Sequence, residues 1–228
     1  PSMENKIIKF KNFKHKYRHP IAIYADFETL LEPMNEKINE SETKIKYHEI
    51  SSAALCAVYT HGESELHSYR GLTCLNDFFN KIKEISEDFF TNKVNAFPDA
   101  KLTDEELEMF NKSTKCWLCN EEFDNKVEKS RTGRDYQPKK KVKDHCHVSG
   151  KFLGVAHLSC NAGWHIKEYV PIFLHNLSRY DSHIIIKSIN QLSSENPTII
   201  PKTEEEYISF TIKIPCGNRN VELRFLAS

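Results

Sequence analysis

The alternation of apolar and polar residues along the chain predicts an α/β fold that begins with strands. β-Prone residues predict three strands, at residues 21–26, 49–60 and 65–69. Apolar residues at helical spacing then predict a helix over residues 75–94. Loop-forming residues follow at 95–100, so we expect the first structural unit to end there.

The middle of the chain is predicted to be a separate segment. Thr103 and Glu106 have the spacing of a capping box, which predicts a short helix that runs to Phe110. A segment rich in cysteine and histidine follows, and strand character returns only near residue 170. We therefore expect residues 95–168 to be an insertion into one α/β domain.

The residues after the insertion are predicted to complete the interrupted domain. An apolar strand is followed by a helix near residues 180–191. Two β-prone stretches, residues 207–214 and 221–226, are joined by turn-forming residues and predict a terminal hairpin. Residues 1–94 and 169–228 would then be the two parts of one α+β domain built on a mixed sheet.

Length and composition exclude a membrane protein and a disulfide scaffold. The 228 residues can bury a full core, and no apolar run approaches the length of a membrane span or a signal peptide. Four of the seven cysteines lie between residues 116 and 160, which fits a reducing compartment and a metal site. We therefore expect an intracellular protein that is not secreted and has no membrane partner.

Two close pairs of metal-ligating residues predict one zinc ion. Two residues separate the ligands within each pair, a spacing that lets both side chains turn onto the same ion. The predicted ligands are Cys116, Cys119, His157 and Cys160. Cys146 or His147 could replace one of them. With either set we expect a structural, tetrahedral Zn²⁺.

An Asp-His dipeptide lies between the two pairs, and an asparagine follows the last ligand. In an extended strand over residues 143–147, His145 and His147 would share a face, and a turn or bulge would bring Asp144 toward a metal. A following helix would carry Asn161 opposite that strand. Carboxylate and amide oxygens suit Mg²⁺ or Mn²⁺, and a nearby imidazole can activate water against a phosphodiester. These residues therefore predict a second, catalytic metal site.

Four motifs between residues 116 and 161 resemble those of the recombination endonuclease VII group of HNH, or ββα-metal, nucleases. They are Cys-x-x-Cys, Asp-His-x-His, Gly-Lys-x-x-Gly and x-x-Cys-Asn-Ala. The resemblance implies roles for four residues: the metal ligands Asp144 and Asn161, the general base His145, and His147 near the scissile phosphate. The sequence departs from the family at His157, where relatives commonly have a third cysteine. Because imidazole is an ordinary zinc ligand, the site becomes Cys₃His.

A second constellation flanks the insertion. Asp26 and Glu28 end the first predicted strand on the same face, and Asp181 lies far downstream at a predicted helix. Carboxylates gathered in this way are what two-metal phosphodiester hydrolysis requires. The motifs Asp-x-Glu-Thr and Asn-Leu-x-x-Tyr-Asp resemble the first two exonuclease motifs of family B DNA polymerases, closest to the protein-primed enzymes of Polinton or Maverick mobile elements. The resemblance implies that the carboxylates hold Mg²⁺ and that Asn176 and Tyr180 touch single-stranded DNA.

The third exonuclease motif of that family, Tyr-x-x-x-Asp, does not occur in the sequence. We therefore expect a truncated, ribonuclease H-like exonuclease domain that acts as a scaffold for the zinc-bound ββα-metal insertion. The chain would be a piece of a longer polymerase or a degenerate relative. A location in the nucleus, or with a virus or mobile element, follows from the same resemblance.

Charge is balanced over the whole chain but not along it. Lys+Arg and Asp+Glu number 32 each, whereas residues 126–143 contain eight basic residues against Glu128 and Asp135. Beside a nuclease motif, such a basic stretch favours contacts with phosphates. The candidate DNA-binding residues are Lys139, Lys140, Lys141 and Lys143.

These observations predict a metal-dependent DNA endonuclease embedded in an incomplete 3′–5′ exonuclease domain of the polymerase B type. It would hydrolyse phosphodiester bonds with structural Zn²⁺ and catalytic Mg²⁺ or Mn²⁺. Two alternatives stay open. One is a DNA-binding module whose metal sites are structural or inactive, and the other is a 3′–5′ proofreading exonuclease of a longer polymerase.

Overall fold

The computed structural model describes two compact units. The described residues are 18–37, 43–94, 96–99, 101–162, 168–175, 177, 181–203 and 206–227. Contacts group Ile21–Lys93 with Glu168–Ser228, here named the sheet unit, and Val94–Lys167 with Pro1–Pro20, here named the inserted unit. The predicted insertion spans residues 95–168, and the grouping has residues 94–167 between the two parts of the sheet unit. The described residues 18–20 group with the inserted unit, and the first strand begins at Ile21.

The described residues form eleven strands and four α-helices. The strands are β1 (Ile21–Lys37), β2 (Thr43–Tyr59), β3 (Ser64–Arg70), β4 (Glu128–Lys129), β5 (Asp135–Tyr136), β6 (Lys141–His145), β7 (Phe152–His157), β8 (Tyr169–Leu174), β9 (Thr198–Pro201), β10 (Tyr207–Cys216) and β11 (Arg219–Ala227). The α-helices are α1 (Cys74–Asp88), α2 (Asp104–Lys112), α3 (Leu158–Ala162) and α4 (Ser182–Ser188). A π-helical turn at Phe89–Lys93 extends α1, and a 3₁₀ turn at Ile189–Gln191 extends α4.

The sheet unit contains a mixed seven-stranded sheet in the order β3-β2-β1-β8-β11-β10-β9. Strand β8 is parallel to both β1 and β11, and the other neighbours are antiparallel. One row of fully buried side chains crosses four strands, at Ile23, Ile172, Phe225 and Phe210. The predicted mixed α+β fold with a large sheet is therefore confirmed.

Alternation along β1 places two carboxylates on the face opposite this core. Ile23, Ala25 and Phe27 are buried, and Phe27 meets Phe78 of α1 edge to face with ring centroids 4.8 Å apart. The side chains of the alternate residues point to the other face of the sheet, so Asp26 and Glu28 are exposed. The strand therefore fixes both carboxylates on one side of the sheet.

The inserted unit is built from hairpins and short helices. Thr103 and Glu106 form the predicted capping box at the start of α2, with each side chain bonded to the other residue's backbone N–H. Strands β6 and β7 form an antiparallel hairpin, and α3 follows β7 without a gap and contacts both strands. Strands β4 and β5 form a small separate hairpin.

Candidate functional site

The cysteine and histidine side chains of the inserted unit converge on one point. The ligand atoms that all lie within 4.8 Å of one another belong to Cys116, Cys119, His157 and Cys160. Neither Cys146 nor His147, the predicted substitutes, belongs to this group. Four ligands so arranged can surround one tetrahedral ion, so the group could hold a metal such as zinc.

The imidazole of His157 is oriented for metal binding. Its Nε2 lies 3.0 Å from the carbonyl oxygen of Glu122, which can only accept a hydrogen bond, so Nε2 carries the proton. The lone pair of Nδ1 then faces the thiols, at 3.3 Å from Cys119 Sγ and 3.8 Å from Cys160 Sγ. Such a backbone contact is the usual way in which proteins fix the tautomer of a metal-binding histidine.

The thiols of Cys119 and Cys160 need a cation to ionise at neutral pH. Burial, and after it the neighbouring Cys116 and Cys119, raise the pKa of Cys160 to about 12. Burial also raises the pKa of Cys119. A divalent cation stabilises the thiolate form and removes this cost. The donor set therefore fits a soft divalent cation such as Zn²⁺.

Local backbone geometry shapes the turn that carries Cys116 and Cys119. The N–H of Asn120 donates to the carbonyl of Cys116 at 2.8 Å. Asn120 has φ of 63°, a left-handed conformation that asparagine adopts more readily than most residues. Leu118 is buried in a small core with Ala156 of β7. The Cys-x-x-Cys segment, here named the zinc knuckle, is therefore a tight turn packed against β7.

Asp144 and His145 end β6 at a bulge. Asp144 pairs with Gly154 and His145 with Phe152, which leaves Leu153 as the extra residue of β7. In a regular strand two successive side chains point to opposite faces, but here Asp144 is only 2% exposed and His145 only 9%. The hairpin thus contains the kind of bulge that was expected from the sequence to bring the Asp144 side chain inward.

The two histidines of the Asp-His-x-His motif stack on each other. The predicted strand ends at His145, because a turn closed by the Gly150 N–H and the Cys146 carbonyl at 2.7 Å follows it. The rings of His145 and His147 nevertheless lie face to face, with centroids 4.6 Å apart and planes 10° apart. Burial, and after it the neighbouring His145, lower the pKa of His147. This favours a neutral imidazole at position 147.

His145 has a defined orientation. Its Nε2 lies 3.1 Å from the carbonyl oxygen of Phe97, so Nε2 donates and Nδ1 keeps its lone pair. The loop that contains Phe97 makes a second hydrogen bond with the turn after β6, because the N–H of Phe97 donates to the carbonyl of His147 at 2.9 Å. A buried imidazole whose second nitrogen is held in this way is suited to accept a proton at Nδ1.

Asn161 lies on α3, one residue after Cys160. Its side chain is partly buried, and α3 contacts β6, the strand of Asp144. The short helix thus follows His157 directly and carries the predicted amide ligand beside Cys160.

Three carboxyl groups of the sheet unit interact electrostatically. Asp181 immediately precedes α4 and is 4% exposed. Burial raises its pKa to about 6, Asp26 and Glu28 raise it as well, and His175 opposes them. Within the described part of the chain, the Cys/His group is the only group of three or more such residues that could hold a metal ion, so the three carboxylates do not form one. The predicted DNA contacts Asn176 and Tyr180 lie outside the described residues.

The raised pKa of Asp181 predicts a stability difference that depends on pH. A carboxyl group whose folded pKa of about 6 exceeds its unfolded value binds its proton more tightly in the folded state, so it stabilises the fold at low pH. We expect Asp181→Asn to gain on the order of 1–3 kcal/mol relative to wild type as pH rises from 4 to 7. Urea unfolding without added Mg²⁺ measures this, and subtraction of the two proteins cancels the titration of the shared zinc ligands.

The exposed Asp99→Asn variant is the control and should show no such trend. A difference between wild type and Asp181→Asn that stays constant over this pH range would contradict the raised pKa of Asp181.

The predicted DNA-binding lysines have different surroundings. Lys139 forms an exposed ion pair with Glu121 at 3.0 Å. Lys141 donates to the carbonyl of Asn111 at 3.1 Å, and its ammonium lies over the rings of Phe110 and Phe123 at 5.0 and 5.6 Å. Its contacts therefore stabilise the inserted unit. Lys140 and Lys143 are exposed on the surface.

This difference predicts that neighbouring lysines respond differently to truncation. Lys140→Ala should weaken DNA binding and reduce the salt slope by about one, with no loss of stability. Lys141→Ala should cost about 1 kcal/mol of stability, because it removes one hydrogen bond and the contacts of the ammonium group with two aromatic rings. Salt-dependent DNA-binding titrations and thermal melts of both variants distinguish the two roles. Equal effects of both substitutions on binding and stability would contradict them.

Two residues that contact the candidate catalytic side chains were not predicted from the sequence. Phe97 supplies the carbonyl that orients His145, and the indole of Trp117 donates from Nε1 to Asp144 Oδ2 at 2.9 Å. The only sequence cue is that Trp117 stands between two zinc ligands.

No protein-family model, curated protein or solved structure matches this chain. Among the helices of the described residues, none has the length and apolar character to cross a bilayer. A function is therefore inferred from the geometry of the chain's own residues.

Proposed function

We propose that the inserted unit is an HNH-type, metal-dependent DNA endonuclease. The observation that carries this proposal is the buried Asp144–His145 pair at the bulge of β6, with His145 Nε2 held by a backbone carbonyl. A histidine in that state has one nitrogen available as a proton acceptor beside a buried carboxylate. The order β6, β7, α3, with the Cys/His group at its base, supports the resemblance to the ββα-metal nucleases.

The residues of the site divide the work of phosphodiester hydrolysis. His145 would take a proton from the attacking water at Nδ1, and His147, stacked on it, would lie near the scissile phosphate. Asp144 and Asn161 would hold Mg²⁺ or Mn²⁺, hard cations that their oxygen atoms suit. Such a cation supplies charge stabilisation for the phosphoryl and leaving oxygens.

The sheet unit supports a second proposal, that it is a ribonuclease H-like exonuclease domain of a polymerase B-type enzyme from a mobile element. The supporting observation is the electrostatic coupling of Asp181 to Asp26 and Glu28 from two distant parts of the chain. Because the third exonuclease motif is absent from the sequence, we propose that this site binds divalent cations weakly and serves chiefly as a scaffold.

One assay separates the proposed endonuclease from its alternatives. Supercoiled, linear duplex and single-stranded DNA are incubated with Mg²⁺, with Mn²⁺ or without a divalent cation. Nicking of the closed circle requires an endonuclease, whereas shortening only from free 3′ ends indicates a proofreading exonuclease. DNA that is retarded in a gel but stays intact under every condition indicates a binding module and overturns the endonuclease proposal.

A further inference from the structure

Trp117 connects the zinc knuckle to the candidate catalytic carboxylate. Its indole Nε1 donates to Asp144 Oδ2 at 2.9 Å, across 27 positions of sequence. Its backbone N–H donates to the carbonyl of Val155 at 3.0 Å. Both ends of the residue are therefore fixed, the backbone on β7 and the side chain on β6.

Gly154 makes this connection possible. It is the cross-strand partner of Asp144, and its φ is 156°. A Cβ atom at this position would lie 2.7 Å from both Cγ and Cδ1 of Trp117, a distance that real side chains do not tolerate. The indole thus lies directly over the glycine, and a larger residue there would displace it from Asp144.

The chemistry of the donor matters as much as its position. A lysine or arginine beside Asp144 would compete with a metal ion for the negative charge of the carboxylate. The indole N–H is neutral, so it can fix the orientation of the carboxylate without neutralising its charge.

We propose that Trp117 is a positioning residue for a divalent cation at Asp144, an inference that depends on the proposed endonuclease function. The zinc ligands Cys116 and Cys119 flank Trp117 in the knuckle, so the zinc site fixes the indole and the indole fixes the carboxylate.

Trp117→Phe tests this directly, because phenylalanine keeps an aromatic ring over Gly154 but has no N–H. Hydrogen-bond partners of metal ligands typically contribute 10- to 100-fold to metal affinity, so we expect the half-saturating Mn²⁺ concentration for nicking to rise about tenfold. The rate at saturating Mn²⁺, the KM for DNA and the zinc content should stay near wild type. Tyr136→Phe, which removes a hydroxyl donor from an exposed ring of the same unit, is the matched control.

A binding measurement complements the kinetics. The chain has two tryptophans, so in a Trp164→Phe background Trp117 is the only one. Excitation of its indole should sensitise the luminescence of added Tb³⁺, a hard cation that takes oxygen ligands, and Asp144→Asn should abolish the signal.

The outcomes are distinguishable. Absence of both sensitised Tb³⁺ emission and Mn²⁺-dependent nicking in proteins that retain Asp144 would overturn the proposed function itself. Normal nicking with an unchanged Mn²⁺ requirement in Trp117→Phe would leave that function standing and overturn the positioning role. A Trp117→Phe protein that loses its zinc would also overturn it, since the indole would then serve the fold of the knuckle.

Discussion

Cys119→Ser is expected to unfold the inserted unit while the sheet unit stays folded. The described core around the knuckle is small, with Cys116, Leu118 and Ala156 as its buried members, so burial alone stabilises it little. Binding of structural zinc contributes on the order of 10–16 kcal/mol in small zinc domains, and most of this is folding free energy. Loss of one thiolate removes the larger part of it.

Hydrogen exchange and metal analysis measure this result. Amide protection should disappear over residues 111–165 and persist in β1, β8 and β11 of the sheet unit. Cys56→Ser, a half-buried free cysteine of the sheet unit, is the control and should keep its zinc. Wild-type protein purified with less than half an equivalent of zinc would contradict the structural role of the metal.

His145→Ala is expected to abolish nicking without weakening the binding of DNA. General-base catalysis typically contributes 10²- to 10⁴-fold, and the imidazole acts on water rather than on the duplex. The rate should fall by that factor at saturating Mn²⁺. Single-turnover nicking and gel retardation, run on the same protein, separate the chemical step from binding.

A metal titration distinguishes the base from the metal ligands. Asp144→Ala and Asn161→Ala should recover part of their activity at high Mn²⁺, because mass action opposes a weakened site, whereas His145→Ala should not. His61→Ala, a histidine bonded to Glu63 in the sheet unit, should nick at the wild-type rate. Should His145→Ala do so too, the DNA-binding module would become the better explanation.

Regular periodicity made much of the sheet predictable. Strands β3, β10 and β11 alternate or carry β-prone runs, and their positions agree with prediction to within two residues. The helical spacing of apolar residues predicted α1 together with the π-helical turn that follows it, whereas β2 begins six residues before its predicted start. Strand β1 continues to Lys37, well beyond the predicted end at residue 26, because pairing with β2 carries it through polar residues. Tertiary pairing rather than local pattern determines that extension.

Strands β4, β5 and β9 were not predicted, and they are short. β4 and β5 have two residues each, too few for any period to show. β9 has four exposed residues and ends at Pro201, so it lacks the buried alternation of a typical strand.

Part of the candidate site was predictable from the local sequence, and part depends on contacts between residues that are distant in the chain. The four zinc ligands were predictable because the ligand spacing within each pair is itself a local property of the chain. The contact of His145 with Phe97 spans 48 positions, and no periodicity records it. Residues that position a site through long-range hydrogen bonds therefore become visible only in the structure.

The parallel pairing of β1 with β8 has a consequence for the order of folding. It joins Ile23 to Ile172, residues about 150 positions apart in the chain, and residues 94–167 of the inserted unit lie between them. During synthesis, β1 must wait for β8 to emerge, while the inserted unit completes its own contacts earlier. A segment between the two strands that has already folded leaves fewer free residues in the loop, and this lowers the entropic cost of closing the sheet.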